Sequence, residues 1–241
     1  MRGWLEEAHE QQRPKFRDRT EAGALLAHHL AQFYHGDAVV LGIPRGGVVV
    51  AAEVARRLGL PLDVIVARKL GAPMSEEFAI GAVTANGGRF LDHELIARLA
   101  VSDAYVAAET DLQRAEARRR EERFRAGRPP LAVRRRTAIV VDDGLATGST
   151  MRAAVRSLRQ HEPAHVVVAV PVGSREACAM LRQEADAVVC PFELSELGAV
   201  GRYYADFTQT VDDEVGDLLA QSHGDTAPTS WNHRRQPLKG T

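Results

Sequence analysis

Residues 137–155 read TAIVVDDGLATGSTMRAAV. The run opens with TAIVV (137–141), apolar and rich in β-branched residues, which predicts a buried strand. Two adjacent carboxylates follow, Asp142 and Asp143. A loop of small and hydroxyl residues comes next, Gly144, Leu145, Ala146, Thr147, Gly148, Ser149 and Thr150, and leads into a predicted helix. In open α/β sheets, ligands sit at the carboxyl ends of the strands. A loop with Gly148 at its end lets backbone N–H groups approach an anion, and the helix N-terminus behind it adds free N–H groups and partial positive charge. Thr147, Ser149 and Thr150 can add hydroxyl donors. The loop therefore predicts a site for a phosphate monoester. The two aspartates repel such a phosphate and suit neutral hydroxyls instead, such as the paired hydroxyls of a ribose. Together the two halves of the motif predict ribose-5-phosphate. The sequence has no GxxxxGK[ST], and no GxGxxG opens a helix with an acid about 20 residues on, which argues against a P-loop or a dinucleotide site.

Outward from this stretch, AVVLG (38–42), LDVIV (62–66), VVVAV (166–170) and AVVC (187–190) read as further buried strands. Helices are predicted over 20–34, with Asp18 or Thr20 at its N-cap, and over 47–58, 149–160 and 175–184. Strands without polar alternation, separated by helices, predict an α/β fold with a doubly wound, mainly parallel sheet. Two insertions break the rhythm. Residues 67–92 predict a loop and an antiparallel hairpin, and 93–127 a highly charged helical segment. Residues 191–207, PFELSELGAVGRYYADF, predict a small hood outside the sheet. The polar stretch 1–15 is read as an extension, 16–220 as the domain, and 221–241 as a disordered tail.

The chain has 241 residues, enough for one domain with a substantial core. Its 31 Lys and Arg nearly cancel its 32 Asp and Glu, so net charge gives no reason to expect a nucleic-acid or membrane-surface protein. No apolar run approaches the ~20 residues of a membrane span, and the polar N-terminus has no secretory h-region. Two cysteines, Cys178 and Cys190, exclude a disulfide framework, read as small core residues, and point to a reducing, cytoplasmic compartment. The triple arginines at 118–120 and 134–136 invite a nucleic-acid reading. Around the first of them, Glu116, Glu121 and Glu122 offer i,i+4 pairing, and Phe124 is the one aromatic nearby. A solvated helix is the expectation, and nucleic acid is not an expected partner. The histidines give no metal-site pattern.

The apolar strand, the acid pair and the small-residue loop closely resemble the 5-phosphoribosyl-1-pyrophosphate (PRPP) motif of the type I phosphoribosyltransferases. The resemblance runs from about residue 16 to 220 and includes FRDR near 16, GIPRGG, AIGAV and VGRYYADF. It implies that Asp142 and Asp143 bind the ribose hydroxyls and that Gly144, Leu145, Ala146, Thr147, Gly148, Ser149 and Thr150 cradle the 5′-phosphate. LGIPRGG (41–47) is a second glycine-rich turn at a strand end, and its arginine can fork onto a phosphate. In the family this position binds pyrophosphate, which implies Arg45, Gly46 and Gly47. Just past the second strand, VARKLG carries Arg68 and Lys69; Lys69 is one of three lysines in the chain, against 28 arginines. Family members close a loop over the reacting centre here, which implies that Arg68 and Lys69 neutralise departing pyrophosphate. Glu76 and Glu77 could touch metal or substrate, although an exposed hairpin is the plainer reading. In the hood, Phe192, Tyr203 or Tyr204 could stack on an acceptor base and Asp206 accept its hydrogen bonds, or these residues simply pack the cap.

The resemblance implies a phosphoribosyltransferase that moves ribose-5-phosphate from PRPP to a nitrogenous, nucleobase-like acceptor and releases pyrophosphate. Mg²⁺ would bridge pyrophosphate and ribose oxygens. The expected partners are PRPP and a small-molecule acceptor, with no membrane, and a homodimer is left open. Two alternatives stay open at this point: a non-catalytic PRPP or nucleotide sensor, linked to nucleic acid through the arginine-rich 114–136 segment, and a hydrolase that reuses the same cradle. The acceptor is not legible.

Overall fold

Walking the chain gives helix α1 (Arg19–Leu30), strand β1 (Ala38–Gly42), α2 (Gly46–Leu58) and β2 (Leu62–Val64). An antiparallel excursion follows, β3 (Ala67–Ala72), β4 (Ser75–Thr84) and β5 (Arg89–Leu91), then α3 (His93–Arg98) and α4 (Asp103–Arg125). The chain re-enters the sheet with β6 (Thr137–Val141), α5 (Ser149–Arg159), β7 (His165–Ala169), β8 (Val172–Ser174), α6 (Arg175–Leu181) and β9 (Ala187–Val189). It ends with β10 (Phe192–Leu194), a 3₁₀ turn (Val200–Tyr203) and α7 (Asp212–Gly224). This computed structural model describes residues 15–31, 37–73 and 75–224, without the side chains of 75–77, 223 and 224.

The central sheet has five parallel strands in the order β2-β1-β6-β7-β9. Every residue of β1 and β6 is buried, because helices cover both faces. Side chains alternate across the pleat and so divide between two cores. Val40, Ile139 and Val167 meet Val50 and Val54 of α2 and Val215 and Leu219 of α7. Val39, Val140 and Val168 meet Met151, Val155 and Leu158 of α5 and Leu181 of α6. The doubly wound parallel architecture read from the strand runs is thus the observed one.

Several boundaries moved. The first helix ends at Leu30, short of the predicted 34, and residues 32–36 lie outside the described set; its N-cap is Asp18, which accepts from the Glu21 N–H at 2.8 Å. The fourth predicted helix stops at Leu181 rather than 184. The insertion at 67–92 is a three-stranded antiparallel sheet, not a hairpin alone. Helix α7 was not among the predicted elements, and it runs to Gly224, four residues into the stretch read as tail. Its apolar contacts are few, Val215 and Leu219 one turn apart on an otherwise acidic segment, so the pattern carries little period. The remainder of that tail lies outside the described residues.

The hood forms where predicted. β10 pairs in parallel with β8, and Phe16, Val172, Leu197, Tyr203 and Tyr204 make its small core. The arginine-rich segment is laced with ion pairs. Arg119 and Arg120 bind Glu116, Arg125 binds Asp63 and Glu121, Arg134 binds Glu162, and Arg136 binds Asp37. The charge that suggested a nucleic-acid face is largely neutralised within the fold. Among the described residues no helix is long and apolar enough to cross a membrane.

Candidate active site

The parallel register sets Gly42 of β1 beside Val141 of β6, so the turns that follow these two strands emerge side by side at the carboxyl edge of the sheet. After Val141 come Asp142 and Asp143, then a loop anchored on β8. The Leu145 N–H donates to the Val172 carbonyl (2.9 Å), Ser174 N–H donates to the Leu145 carbonyl (2.8 Å), and the Ser174 hydroxyl donates to the Ala146 carbonyl (2.8 Å). Hood residue Val200 packs against Gly144, where a Cβ would lie 2.4 Å from a Val200 methyl. Gly148, with φ of 78°, turns the loop into α5. The Arg152 N–H makes a bond to the Gly148 carbonyl, so the N–H groups of Ser149, Thr150 and Met151 sit ahead of it at the open helix end. The Thr147 and Ser149 hydroxyls lie 3.3 Å apart. Ala146, Thr147 and Ser149 line a cleft of about 610 Å³, which Arg152 and Phe90 also border. Thr147, Ser149, His93 and Arg152 bring donors to this cleft, beside the helix N-terminus that favours an anion, while Asp92 and Glu176 also line it.

The second turn lies against the acids. The Ile43 N–H donates to the Val141 carbonyl at 2.9 Å, and the Pro44–Arg45 peptide is cis. A Cβ on Gly46 would fall 2.0 Å from Asp143 Oδ2, and one on Gly47 2.7 Å from Asp142 Oδ1 and 2.8 Å from its Cα. Only glycine lets this backbone approach so closely. The sequence-predicted residues Arg45, Gly46, Gly47, Asp142 and Asp143 are therefore brought together with the 144–150 loop.

Burial, with the charge of Asp143 beside it, pushes the Asp142 carboxyl well above the ordinary range. Its Oδ1 accepts from the Asp143 N–H at 2.8 Å. Burial raises Asp143 as well, opposed by Arg19, whose Nε donates to Asp143 Oδ2 at 2.8 Å. Arg19 also donates to the Thr208 carbonyl and lies 4.0 Å from the centre of the Phe207 ring. The Tyr204 hydroxyl, its ionisation suppressed chiefly by burial, donates to the Asp143 carbonyl at 2.6 Å. Arg45 faces Asp212 at 3.6 Å, and the other oxygen of Asp212 binds Arg123 at 2.9 Å.

Other candidates are placed differently. Arg68 donates from Nε to Gln113 on α4 at 3.0 Å, while Lys69, next along β3, is exposed. The hood aromatics pack the cap: Tyr203 is buried with its hydroxyl on the Leu197 carbonyl, Tyr204 anchors Asp143, and Phe192 meets Phe16 edge-on at 5.9 Å. Asp206 accepts from the Thr208 hydroxyl and N–H, which hold its carboxyl below the usual range. The side chains of Glu76 and Glu77 lie outside the described residues. Arg19 on Asp143 and Asp212 on Arg45 were not assigned from the sequence, and Tyr204, read there as a possible base platform, anchors the Asp143 carbonyl instead. FRDR marked Arg19 only as part of a likeness; no local pattern ties it to an acid 124 residues away.

Comparison with known proteins agrees with this geometry. The sequence model of the phosphoribosyl transferase domain matches residues 18–196. The chain is 45% identical over 212 residues to "Putative phosphoribosyl transferase MT0597" and, equally, to "Putative phosphoribosyl transferase Rv0571c", both from Mycobacterium tuberculosis strains. That match covers 88% of this chain and 48% of each relative, so the chain spans about half their length. The crystal structure of TT1426 from Thermus thermophilus is 47% identical, with a TM-score of 0.74 over 86% of this chain and 98% of that one. With the matched segment running from the N-cap of α1 to the hood and enclosing both turns at the sheet edge, the chain belongs to the phosphoribosyl transferase family, and its mainly parallel sheet with flanking helices is the type I fold.

Proposed function

We infer that the protein binds PRPP and transfers its ribose-5-phosphate to a nitrogenous, nucleobase-like acceptor, releasing pyrophosphate. The observation that carries this reading is the convergence at one sheet edge of a donor-rimmed loop, a carboxylate pair and an arginine-bearing glycine turn. In it, the 145–150 loop and the N-terminus of α5 hold the 5′-phosphate. Asp142 and Asp143 accept hydrogen bonds from the ribose hydroxyls. Arg45 and the Gly46–Gly47 backbone hold the pyrophosphate arm.

No group of three or more His, Cys, Asp or Glu side chains converges among the described residues. Asp142 and Asp143 would be the residues to hold a hard cation such as Mg²⁺, since such ions favour carboxylate oxygens. When bound, it would supply charge neutralisation at pyrophosphate. Breaking the anomeric bond builds positive charge on the ribose and negative charge on the leaving group. The chain's own contribution is to fix the two ends of PRPP and to meet the departing charge with Arg45, joined by Arg68 and Lys69 from β3. The Arg19 guanidinium orients Asp143 and leaves the partly open Asp142 edge for the sugar.

A screen of pyrophosphate release from PRPP and Mg²⁺ against nucleobases and small amines tests the reading. Release that depends on one acceptor class supports it. PRPP binding without release for any acceptor converts the reading into that of a sensor, and phosphate release without an acceptor into that of a hydrolase.

A further inference from the structure

Cys178 and Cys190 are 12 positions apart in sequence but meet behind the phosphate loop. Cys178 sits on α6 and is fully buried; Cys190 follows β9 at the base of the hood and is half-buried. Both sulfurs close on Gly173 of β8, where a Cβ would lie 3.1 Å from Cys178 Sγ, 3.2 Å from Cys190 Sγ and 3.1 Å from the Leu145 Cβ. The two thiols thus face one common point beside Gly173, and Cys190 Sγ also contacts the Phe192 carbonyl at 3.4 Å. Arg182 at the end of α6 pairs with Glu193 of β10. The segments that carry the sulfurs are therefore already clamped side by side.

We propose that Cys178 and Cys190 form a reversible dithiol–disulfide site, closed by a peroxide, that staples the hood to α6 behind the phosphate loop. A side chain at residue 173 would crowd both sulfurs as well as Leu145. The neighbouring Cys190 sulfur lowers the Cys178 thiol from its ordinary value, while Cys178 and burial raise Cys190. The half-buried Cys190 edge admits a small oxidant. One sulfur attacks the peroxide and becomes a sulfenic acid with release of water. The other sulfur displaces hydroxide from it, the S–S bond forms, and the hydroxide takes the remaining thiol proton as a second water. Two sulfurs lose two electrons and the peroxide gains them. Nothing in this chemistry depends on PRPP.

The test uses the full chain treated with hydrogen peroxide, then digested with trypsin without reduction. Cleavage after Arg175, Arg182 and Arg202 separates EACAMLR from QEADAVVCPFELSELGAVGR. The expected result is a linked pair of these peptides, about 2 Da lighter than their sum, released by dithiothreitol. The intact oxidised protein should melt several degrees higher than the reduced form, since the bond closes a short loop in the unfolded chain. Cys178→Ser and Cys190→Ser should each abolish the link. Two unlinked peptides, with thiols intact or with oxygen added at each sulfur separately, would overturn the proposal, and this readout needs the wild-type protein alone.

Discussion

The cradle at 142–150 and the ring of residues around the acid pair solve different problems. The cradle is local: strand end, acids, loop and helix N-terminus are consecutive, and their geometry follows from chain order. The ring is assembled from afar. Arg19 reaches Asp143 from α1, Tyr204 reaches it from the hood, and Asp212 reaches Arg45 from α7. In the proposed function the cradle holds an anion beside a diol. The ring controls how much charge the acids carry and how tightly the glycine turn is held. A site can therefore be recognised from a short motif while its tuning stays invisible.

That contrast can be broken at its tightest point. Gly46→Ala places a methyl group against Asp143 Oδ2 and Arg19 Nε, 2.0 and 2.6 Å from its ideal position. PRPP affinity by calorimetry is expected to fall by about tenfold or more, with a stability loss of about 1–3 kcal/mol from overpacking. Arg19→Ala tests the ring. It leaves the Asp143 carboxylate, 16% exposed, without its cation, and a loss of about 2 kcal/mol in denaturant unfolding is expected, larger than its effect on PRPP binding. Affinity lost without stability would move Arg19 out of the ring and into ligand contact.

The acids should also leave a mark on pH dependence. Asp142 has a folded-state value raised above the unfolded one, so the folded form holds its proton more tightly. Its stabilising share is full at low pH and is lost as pH rises from the ordinary carboxylate range through the raised value. Asp142→Asn should remove that loss, so the variant melts at or above wild type at neutral pH, and the gap closes in acid. A variant less stable than wild type at neutral pH would contradict the sign. The smallest effect belongs to Asp212→Ala, which frees Arg45 and removes one of the two carboxylates that bind Arg123. A change of a few-fold in PRPP affinity is expected, with little change in the melting temperature.

These contrasts bear on what the sequence could disclose. Strands β1, β6 and β7 were legible because each is buried on both faces and reads as a continuous apolar run. The grouping of Asp142, Asp143 and the loop was legible because they occupy adjacent positions after one strand. Helix α7 was not, since only Val215 and Leu219 are buried on an acidic segment. The hood aromatics were ambiguous for the same reason: Tyr204 as a base platform and Tyr204 as a hydrogen-bonded anchor present one residue type. The approach of Cys178 and Cys190 to one point at Gly173 of β8 is a tertiary contact that no spacing encodes.

Isothermal calorimetry of PRPP with Mg²⁺ on the wild type and on Asp142→Asn/Asp143→Asn asks the central question most directly. The account expects saturable binding to the wild type, weakened by on the order of a hundredfold in the double variant, as the loss of charged hydrogen-bond acceptors requires. No heat from the wild type at millimolar PRPP, or equal affinity in both proteins, would contradict it.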